Sequence, residues 1–195
     1  AEPSDIELNL LVYDDKTMEA IDISTIDMMS LYDWLITDDF APFISDDDLN
    51  IIYYFKVIRI NKVLTYDNKG YLRVIFKPFS KYSYKREIYD KSVNGETTLE
   101  IFNPSKQLYK PIMEIINLGD ASSVNKINNK KVFNLEKSEQ ITIDNLSKII
   151  QDKNKSNKFN CCNRNWIELK PKETTTLTLN GNFRIKIICE FPIIK

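Results

Sequence analysis

The sequence predicts a mainly β protein with two β-rich domains, the first of which contains one helix. Ten Phe, ten Tyr and many Ile and Val stand against only four Gly, a balance that favours strands. From Lys110 onward, short apolar runs alternate with polar turns, which is the usual signature of a small β-sandwich. One segment alone shows a convincing helical period.

In the first half of the chain, the apolar residues of segment 6–12 alternate with polar ones, as in a half-buried strand. Ser24 is followed three residues later by Asp27, which predicts a capping box and a helix that continues to about Ile36. Two strands, 51–60 and 71–79, flank a turn of type Asp-Asn-Lys-Gly at 67–70 and predict a β-hairpin.

A strand near 97–102 ends at an Asn-Pro turn, and we place the domain boundary there. The predicted domains are therefore 1–103 and 104–195. In the second domain, strands are predicted at 110–116, 141–145 and 177–191, the last with Gly181 as a hairpin turn. Cys189 lies in step with the apolar residues of that last strand and is expected to be a core residue. Segments 125–131 and 152–165 are expected to be polar loops.

The net charge of −1 hides an uneven distribution. Residues 1–50 carry 14 Asp or Glu and one Lys, and the remaining residues carry a surplus of 12 positive charges. Because complementary fields guide association, the acidic half of one copy could dock on the basic half of another. The alternative is that both halves simply carry solvated charge.

Catalytic chemistry finds little support in this sequence. The chain has no histidine, which removes Ser-His-Asp and Cys-His arrangements and the commonest metal ligand. No P-loop, dinucleotide fingerprint or G-x-S-x-G motif occurs. We therefore expect no enzyme activity, no cofactor and no bound metal. Two acids that converge from distant positions, as in a glycoside hydrolase fragment, stay an open alternative.

Three further features have competing interpretations. The Asp38-Asp39 and 46–48 clusters could hold calcium, but they lack the EF-hand spacing and favour a solvated loop. Segment 81–86 mixes Lys, Arg and Tyr, as RNA-binding surfaces do, but no RNA-binding motif accompanies it, and we interpret it as an edge linker. The odd cysteine count indicates a reducing environment, and Cys161-Cys162 is interpreted as incidental rather than as a metal or redox pair.

No stretch approaches the apolar length that crosses a bilayer, and the first residues lack the pattern of a signal peptide. We therefore expect neither membrane insertion nor nucleic-acid binding.

The order of segments resembles the distal tail protein (Dit) family of long-tailed bacteriophages and prophages. The motifs that carry the resemblance, each weak alone, are Leu31-Tyr32-Asp33-Trp34-Leu35, Tyr53-Tyr54-Phe55-Lys56-Val57, Phe76-Lys77-Pro78-Phe79, Tyr82, Asn103, Lys110-Pro111-Ile112, Gly119-Asp120, Ile141-Thr142-Ile143-Asp144, Trp166, Leu169-Lys170-Pro171 and Leu179-Asn180-Gly181. The sequence departs from the family in two places. The strands and Gly-rich turn that usually open the chain are missing, so we expect a fragment or processed form. The Gly that commonly follows Pro171 is also absent.

The resemblance implies a ring-forming first domain and a galectin-like β-sandwich as the second. It implies a homo-hexameric ring at the virion tail tip, assembled in the host cytoplasm. The ring would join the tail tube and tape-measure proteins to tail-associated or receptor-binding proteins. A closed ring needs two different complementary patches on each copy. The residues expected at the interface are Asp46, Asp47, Asp48, Tyr53, Phe55, Arg73 and Lys77.

A carbohydrate-binding module for host surface recognition is the alternative function, because a galectin-like sandwich suggests sugar recognition. Trp166 with Asn163, Arg164 and Asn165 is the one cluster that combines an aromatic platform with polar side chains. The competing interpretation is that Trp166 packs as a core or rim residue at the start of a strand.

Overall fold

The computed structural model describes residues 4–19, 21–64, 70–121 and 124–193 and confirms the mainly β fold class. The chain forms two compact units, the first ending at Ser83 and the second comprising Tyr84–Ile193. This division falls within a strand, before the Asn-Pro turn at which the sequence places its boundary. The domain ranges 1–103 and 104–195 stay a prediction.

The first unit is an antiparallel sheet that carries one helix. Its elements are β1 (Ile6–Leu10), α1 (Thr25–Leu35), β2 (Ala41–Ile44), β3 (Ile51–Leu64) and β4 (Gly70–Pro78), and the strand order is β2-β3-β4-β1. The predicted β3–β4 hairpin is confirmed, while the predicted turn residues 67–69 lie outside the described residues. A bulge between Val57 and Arg59 interrupts its register.

Helix α1 begins as the sequence predicts. Ser24 caps it, accepting a hydrogen bond from the Asp27 backbone N–H (3.1 Å), while the Asp27 carboxylate accepts from the Ser24 N–H (3.2 Å). The Tyr32 hydroxyl donates to the Ile60 carbonyl (2.9 Å) and fixes the helix on the sheet. The small core beneath it consists of Ile23, Val57, Ile60, Leu72, Val74 and Phe76, with Val12, Met28, Leu31, Leu35 and Phe55 packed around them.

The second unit has a larger core and longer strands. Its elements are β5 (Ser83–Phe102), β6 (Ile112–Asn117), β7 (Asn125–Ile127), β8 (Lys131–Phe133), β9 (Gln140–Asp144), β10 (Ile149–Asp152), a 3-10 turn (Phe159–Cys161) and β11 (Thr174–Ile193). The order is β5-β11-β6-β9-β10, and β7 pairs with both β11 and β8. Two expectations were therefore wrong. Segment 81–86 is not a linker, because residues 83–86 belong to β5, and segment 125–131 is not a loop, because it contains β7 and the first residue of β8. Segment 152–165 is largely irregular, as expected, apart from the end of β10 and the 3-10 turn.

The two long strands β5 and β11 are neighbours in the sheet and run antiparallel to each other. The first part of β11 pairs with β7 and the second part with β6, and its buried side chains all enter one core. Gly181 stands between these parts with φ +139°, and Gly95 in β5 has φ +87°. Gly181 is therefore a bend within one strand, and the predicted hairpin turn at this position was wrong. Cys189 is fully buried, as predicted.

Four buried asparagines hold the connections of the second unit, because their amides satisfy backbone groups that no strand partner reaches. Asn145 donates to the Pro111 carbonyl (2.6 Å) and accepts from the Ile167 N–H (2.8 Å). Asn103 donates to the Leu169 carbonyl (2.9 Å). Asn117 and Asn125 hydrogen-bond to each other (3.0 Å) beside the bend at Gly181.

Candidate assembly surface and a groove beside Trp166

Strand β1 leaves apolar side chains uncovered on the first unit. Within the described residues it pairs with β4 alone, and its register places Ile6, Leu8 and Leu10 opposite Phe76, Val74 and Leu72. By strand alternation, these three side chains share the face that carries the core, yet they stay 37–39% exposed. The predicted strand thus exists, but it is not half-buried, because all five of its residues are exposed.

Helix α1 also carries apolar residues on the side away from its core. Met28, Leu31 and Leu35 pack inward, whereas Ile26, Met29 and Trp34 are 64–76% exposed. An apolar stripe on one side is enough for a surface helix, so the second set has no role within the unit. We call Ile26, Met29 and Trp34 the outer helix face. Together with Ile6, Leu8 and Leu10 of β1, it gives the first unit six apolar side chains that are exposed on these two elements.

The predicted acidic interface residues lie in the exposed connection between β2 and β3. Asp47 accepts a hydrogen bond from the Ser45 hydroxyl (3.2 Å), and Asp48 accepts one from the Asn50 N–H (3.1 Å). These local bonds shape the connection while leaving the carboxylates of Asp46, Asp47 and Asp48 at the surface. Their use in an interface stays a prediction.

The predicted aromatic interface residues belong to an aromatic cluster of the first unit. Tyr53 and Phe55 stack with ring centroids 5.7 Å apart and planes 9° from parallel. Phe43 and Phe76 contact the same Phe55 ring at 5.7 and 5.8 Å. Tyr53 and Phe55 are half-buried, so they contribute to packing and also line a cavity of about 250 Å³ that reaches Tyr82.

The two basic interface candidates, Arg73 and Lys77, both lie on β4 but in different surroundings. Arg73 is paired within its own unit, because its Nε lies 2.9 Å from the Glu7 carboxylate and its guanidinium donates to the Tyr71 hydroxyl. Lys77 is exposed and stands opposite Lys56 in the β3–β4 register. Lys56 itself donates to the Asp38 carbonyl (2.6 Å).

The charge imbalance seen along the sequence is partly neutralised inside the first unit. Asp22 pairs with Lys62 on β3 (2.7 Å) and Glu7 with Arg73 on β4, so the basic strands face part of the acidic segment. The Lys62 contact, chiefly its hydrogen bond, holds the pKa of Asp22 below its ordinary value. Residues 51–83 carry seven Lys or Arg and one Asp, which leaves residues 1–83 at −7. Residues 84–193 carry +5.

A groove of about 410 Å³ lies on the second unit, beside Trp166. Its described lining combines apolar side chains with amides and charges, including Ile127, Leu177, Asn128, Lys130, Asn165, Trp166, Glu168 and Lys170. Asn128 is held with φ +52° while its amide oxygen accepts from the Thr178 N–H (2.8 Å). Asn165 donates to the Lys130 carbonyl (3.3 Å), which ties the two walls together.

Of the predicted sugar-contact residues, Trp166 and Asn165 are among the described lining of this groove. Trp166 is partly buried and packs against the core of the second unit, as the competing interpretation expects, but it lies in an irregular segment rather than at the start of a strand. Its ring meets Phe159 edge-on, with the ring centroids 6.3 Å apart. Arg164 lies with its guanidinium carbon 5.4 Å from the Phe159 ring, and Asn163 is exposed. The groove residues on 128–130 and 168–170 were missed, because nothing in the sequence joins these distant segments.

Burial, rather than activation, governs the reactive groups of the second unit. Desolvation raises the pKa of the Cys189 thiol to about 12, and it also raises the pKa of Cys161. Burial and a hydrogen bond to Glu87 raise the pKa of Tyr89. These shifts keep the three groups protonated, which disfavours nucleophilic chemistry. Within the described residues, no three His, Cys, Asp or Glu side chains converge as a metal site would require.

The helix of the first unit is too short and too polar to span a bilayer, and among the described residues no other helix has the length or apolarity for it.

Comparison with known proteins places the fold. No protein-family model matches the sequence, and no curated protein matches it either. Among solved structures, the chain is similar to SPP1 Dit, a paradigm of the hub adsorption apparatus in phages that infect Gram-positive bacteria, with a TM-score of 0.57 and 14% identity over 96% of this chain and 78% of that one.

Two structures of the phage P2 baseplate in its activated conformation also match. The one with calcium has a TM-score of 0.44 and 11% identity, covering 83% of this chain and 72% of that chain. The one with strontium has a TM-score of 0.40 and 13% identity, covering 82% and 72%. The chain thus shares the fold of SPP1 Dit, and the resemblance found in the sequence is confirmed at the level of the fold.

Proposed function

We propose that this protein is a structural hub of a phage or prophage-derived tail tip, and that it works by assembly rather than by catalysis. The observation that carries the proposal is the fold match to SPP1 Dit, which spans 96% of the chain and therefore both units. In this role, six copies form a ring that joins the tail tube and tape-measure proteins to tail-associated or receptor-binding proteins. The protein is located at the tail tip and is assembled in the bacterial cytoplasm.

The first unit supports this proposal through the surface that it leaves uncovered. Burying apolar side chains contributes about 25 cal/mol per Å², so the exposed residues of β1 and the outer helix face are a ready source of association free energy. A ring requires that one patch meets a different patch on the neighbour. The β1 edge and the outer helix face are two such patches on separate elements.

Charge favours a second kind of contact, between the first unit of one copy and the second unit of its neighbour. The first unit carries a net charge of −7 over residues 1–83, and the second carries +5 over residues 84–193. Opposite charges of this size favour contacts between unlike surfaces of neighbouring copies and disfavour contacts between two like surfaces. The exposed Asp46, Asp47 and Asp48 are the part of the acidic unit that we expect at such a contact.

The test is the solution mass of the full chain, measured by light scattering during size-exclusion chromatography. We expect a hexamer at micromolar concentration and above. Ile26→Asp should dissociate it, because Ile26 is 76% exposed on the outer helix face and an acid suits the first turn of a helix. Leu146→Asp is the matched control, since Leu146 is 70% exposed on the second unit and outside the proposed surface.

Charge reversal of Asp46, Asp47 and Asp48 to Lys should also weaken the assembly, and more so at low salt. A mass that stays unchanged across a wide salt range and after this reversal would contradict the electrostatic part of the proposal. A strictly monomeric wild-type chain at high concentration would count against self-assembly altogether.

A further inference from the structure

The groove beside Trp166 has a composition that the assembly role does not explain. Its volume of about 410 Å³ is within the range of small-ligand sites. It lies on the second unit, whose apolar core is buried. The described lining includes the indole of Trp166, which is partly buried against the core, and the amides of Asn128 and Asn165. Apolar floor residues Ile127 and Leu177 complete it.

We propose that this groove binds an acidic saccharide. Sugar rings present an apolar C–H face, which packs on an aromatic ring, and an edge of hydroxyl groups, which exchange hydrogen bonds with amides. A short, open groove with one indole and two amides supplies both kinds of contact. A nucleic acid would need a longer basic track with several stacking rings, and a protein partner would need a larger apolar patch.

The charges of the groove select the acidic class. Glu168 is the one acid among the described lining residues, and its carboxylate is paired with Lys110 at 3.1 Å. Lys130 and Lys170 are exposed at the walls, and Lys170 has only a loose contact with Glu173 at 3.9 Å. The groove therefore presents ammonium groups to a ligand, and these favour a carboxylate or phosphate on the saccharide.

The groove is also held in shape before any ligand arrives. Asn128 is fixed by its bond from the Thr178 N–H, and Asn165 is tied to the Lys130 carbonyl. The Phe159 ring contacts the Trp166 ring edge-on, and the Arg164 guanidinium lies over the Phe159 ring. A preformed site loses less conformational entropy on binding, so the few contacts available give measurable affinity.

The experiment uses the full chain with Trp34→Phe, which leaves Trp166 as the only tryptophan, since the sequence has two. Its fluorescence is titrated with galacturonic acid tetramer, with a phosphorylated maltotetraose and with neutral maltotetraose, up to about 10 mM. We expect at least one acidic oligomer to change the Trp166 emission and to bind about fivefold or more tightly than maltotetraose. Comparing the two acidic oligomers distinguishes a carboxylate from a phosphate ligand.

Calorimetry on variants then locates the site. The double variant Lys130→Ala, Lys170→Ala should bind the acidic oligomer roughly five- to tenfold more weakly than the parent chain. The control double variant Lys106→Ala, Lys153→Ala, which changes two exposed lysines elsewhere on the unit, should bind it with unchanged affinity. Trp166→Ala should reduce the affinity for the acidic oligomer about tenfold. Trp166→Phe should reduce it less, because phenylalanine keeps an aromatic ring. Trp166→Phe also protects the test should the alanine variant fold poorly.

Four outcomes would overturn the proposal. Three are no emission change with any oligomer, equal affinity for neutral and acidic oligomers, and equal losses in the two double-lysine variants. The fourth is binding that survives Trp166→Phe and Trp166→Ala unchanged, which would place the saccharide elsewhere. None of these results depends on whether the chain forms a ring, so this inference and the proposed function fail separately.

Discussion

Replacing Gly181 with alanine is expected to destabilise the second unit by about 3–5 kcal/mol. Two costs add at this position. An alanine at φ +139° adopts a backbone conformation that side chains rarely allow, at about 1–3 kcal/mol. Its Cβ would also lie 2.1 Å from the Asn125 amide oxygen, which now accepts the Asn182 N–H at 2.9 Å. Moving Asn125 breaks buried hydrogen bonds worth about 1–3 kcal/mol each when left unpaired.

Gly95→Ala is the matched control, because Gly95 also has a positive φ, +87°, but no atom lies within 4 Å of its added Cβ. Only the backbone cost of about 1–2 kcal/mol applies there. The measurement is urea unfolding followed by Trp166 fluorescence in the Trp34→Phe chain, which reports on the second unit alone. Since the midpoint and the slope are both obtained, a change in the unfolded state can be separated from a change in stability.

A double-mutant cycle with Asn125→Ala isolates the steric part. Once Asn125 is shortened, Gly181→Ala should cost less than it does in the otherwise wild-type chain, because the contact with the amide oxygen is gone. The Asn125 Cα, 3.0 Å from the added Cβ, remains. If Gly181→Ala and Gly95→Ala cost the same in the otherwise wild-type chain, the close approach of Asn125 to Gly181 does not limit this position, and the reasoning is refuted.

Three smaller perturbations have defined outcomes. Asn145→Ala should cost about 2–4 kcal/mol in urea unfolding, because it leaves the Ile167 N–H without its acceptor; a loss below 1 kcal/mol would contradict this. Ser24→Ala should cost about 1 kcal/mol in thermal unfolding of the first unit, with Ser24→Thr nearly neutral, because the capping box with Asp27 is lost. Asp90→Asn should lower stability at neutral pH. The Arg184 hydrogen bond holds the pKa of Asp90 below its ordinary value of 3.8. The stabilisation by the Asp90–Arg184 pair is therefore present above that value and is lost as pH falls through the folded pKa. The difference in unfolding free energy between Asp90→Asn and wild type should shrink between pH 5 and pH 3. A difference that stays constant over this range would contradict a stabilising role of the pair.

Local sequence signals were enough to predict much of the fold. The alternation in 72–76 and 183–191 identified the buried faces of β4 and β11, since a strand with one covered side repeats every two residues. The Ser24 capping box located the start of α1, because the cap is formed by residues three apart in sequence. These features depend on residues that are close together in the sequence, so the sequence alone is enough to predict them.

The missed elements depend on distant contacts. Strands β7 and β8 are short and rich in Asn and Lys, and β7 is a strand because it pairs with β11 some fifty positions away. The sequence predicts a loop at Asn125, although this residue is buried. Its hydrogen-bond partners, Asn117 and Asn182, lie in other segments, so its burial depends on contacts that the local sequence does not show. The groove beside Trp166 was half-found for the same reason. Its indole could be singled out by type, but the walls come from separate connections that only the folded chain brings together.

The antiparallel course of β5 and β11 has a consequence for how the second unit can change between proteins. The Arg86–Glu190 contact (3.8 Å) and the Arg184–Asp90 pair show that the first residues of β5 lie beside the last residues of β11. The chain therefore enters and leaves this unit at neighbouring points. A module with adjacent ends can be exchanged for another, or accept an insertion at a far connection, without moving the residues to which it is attached.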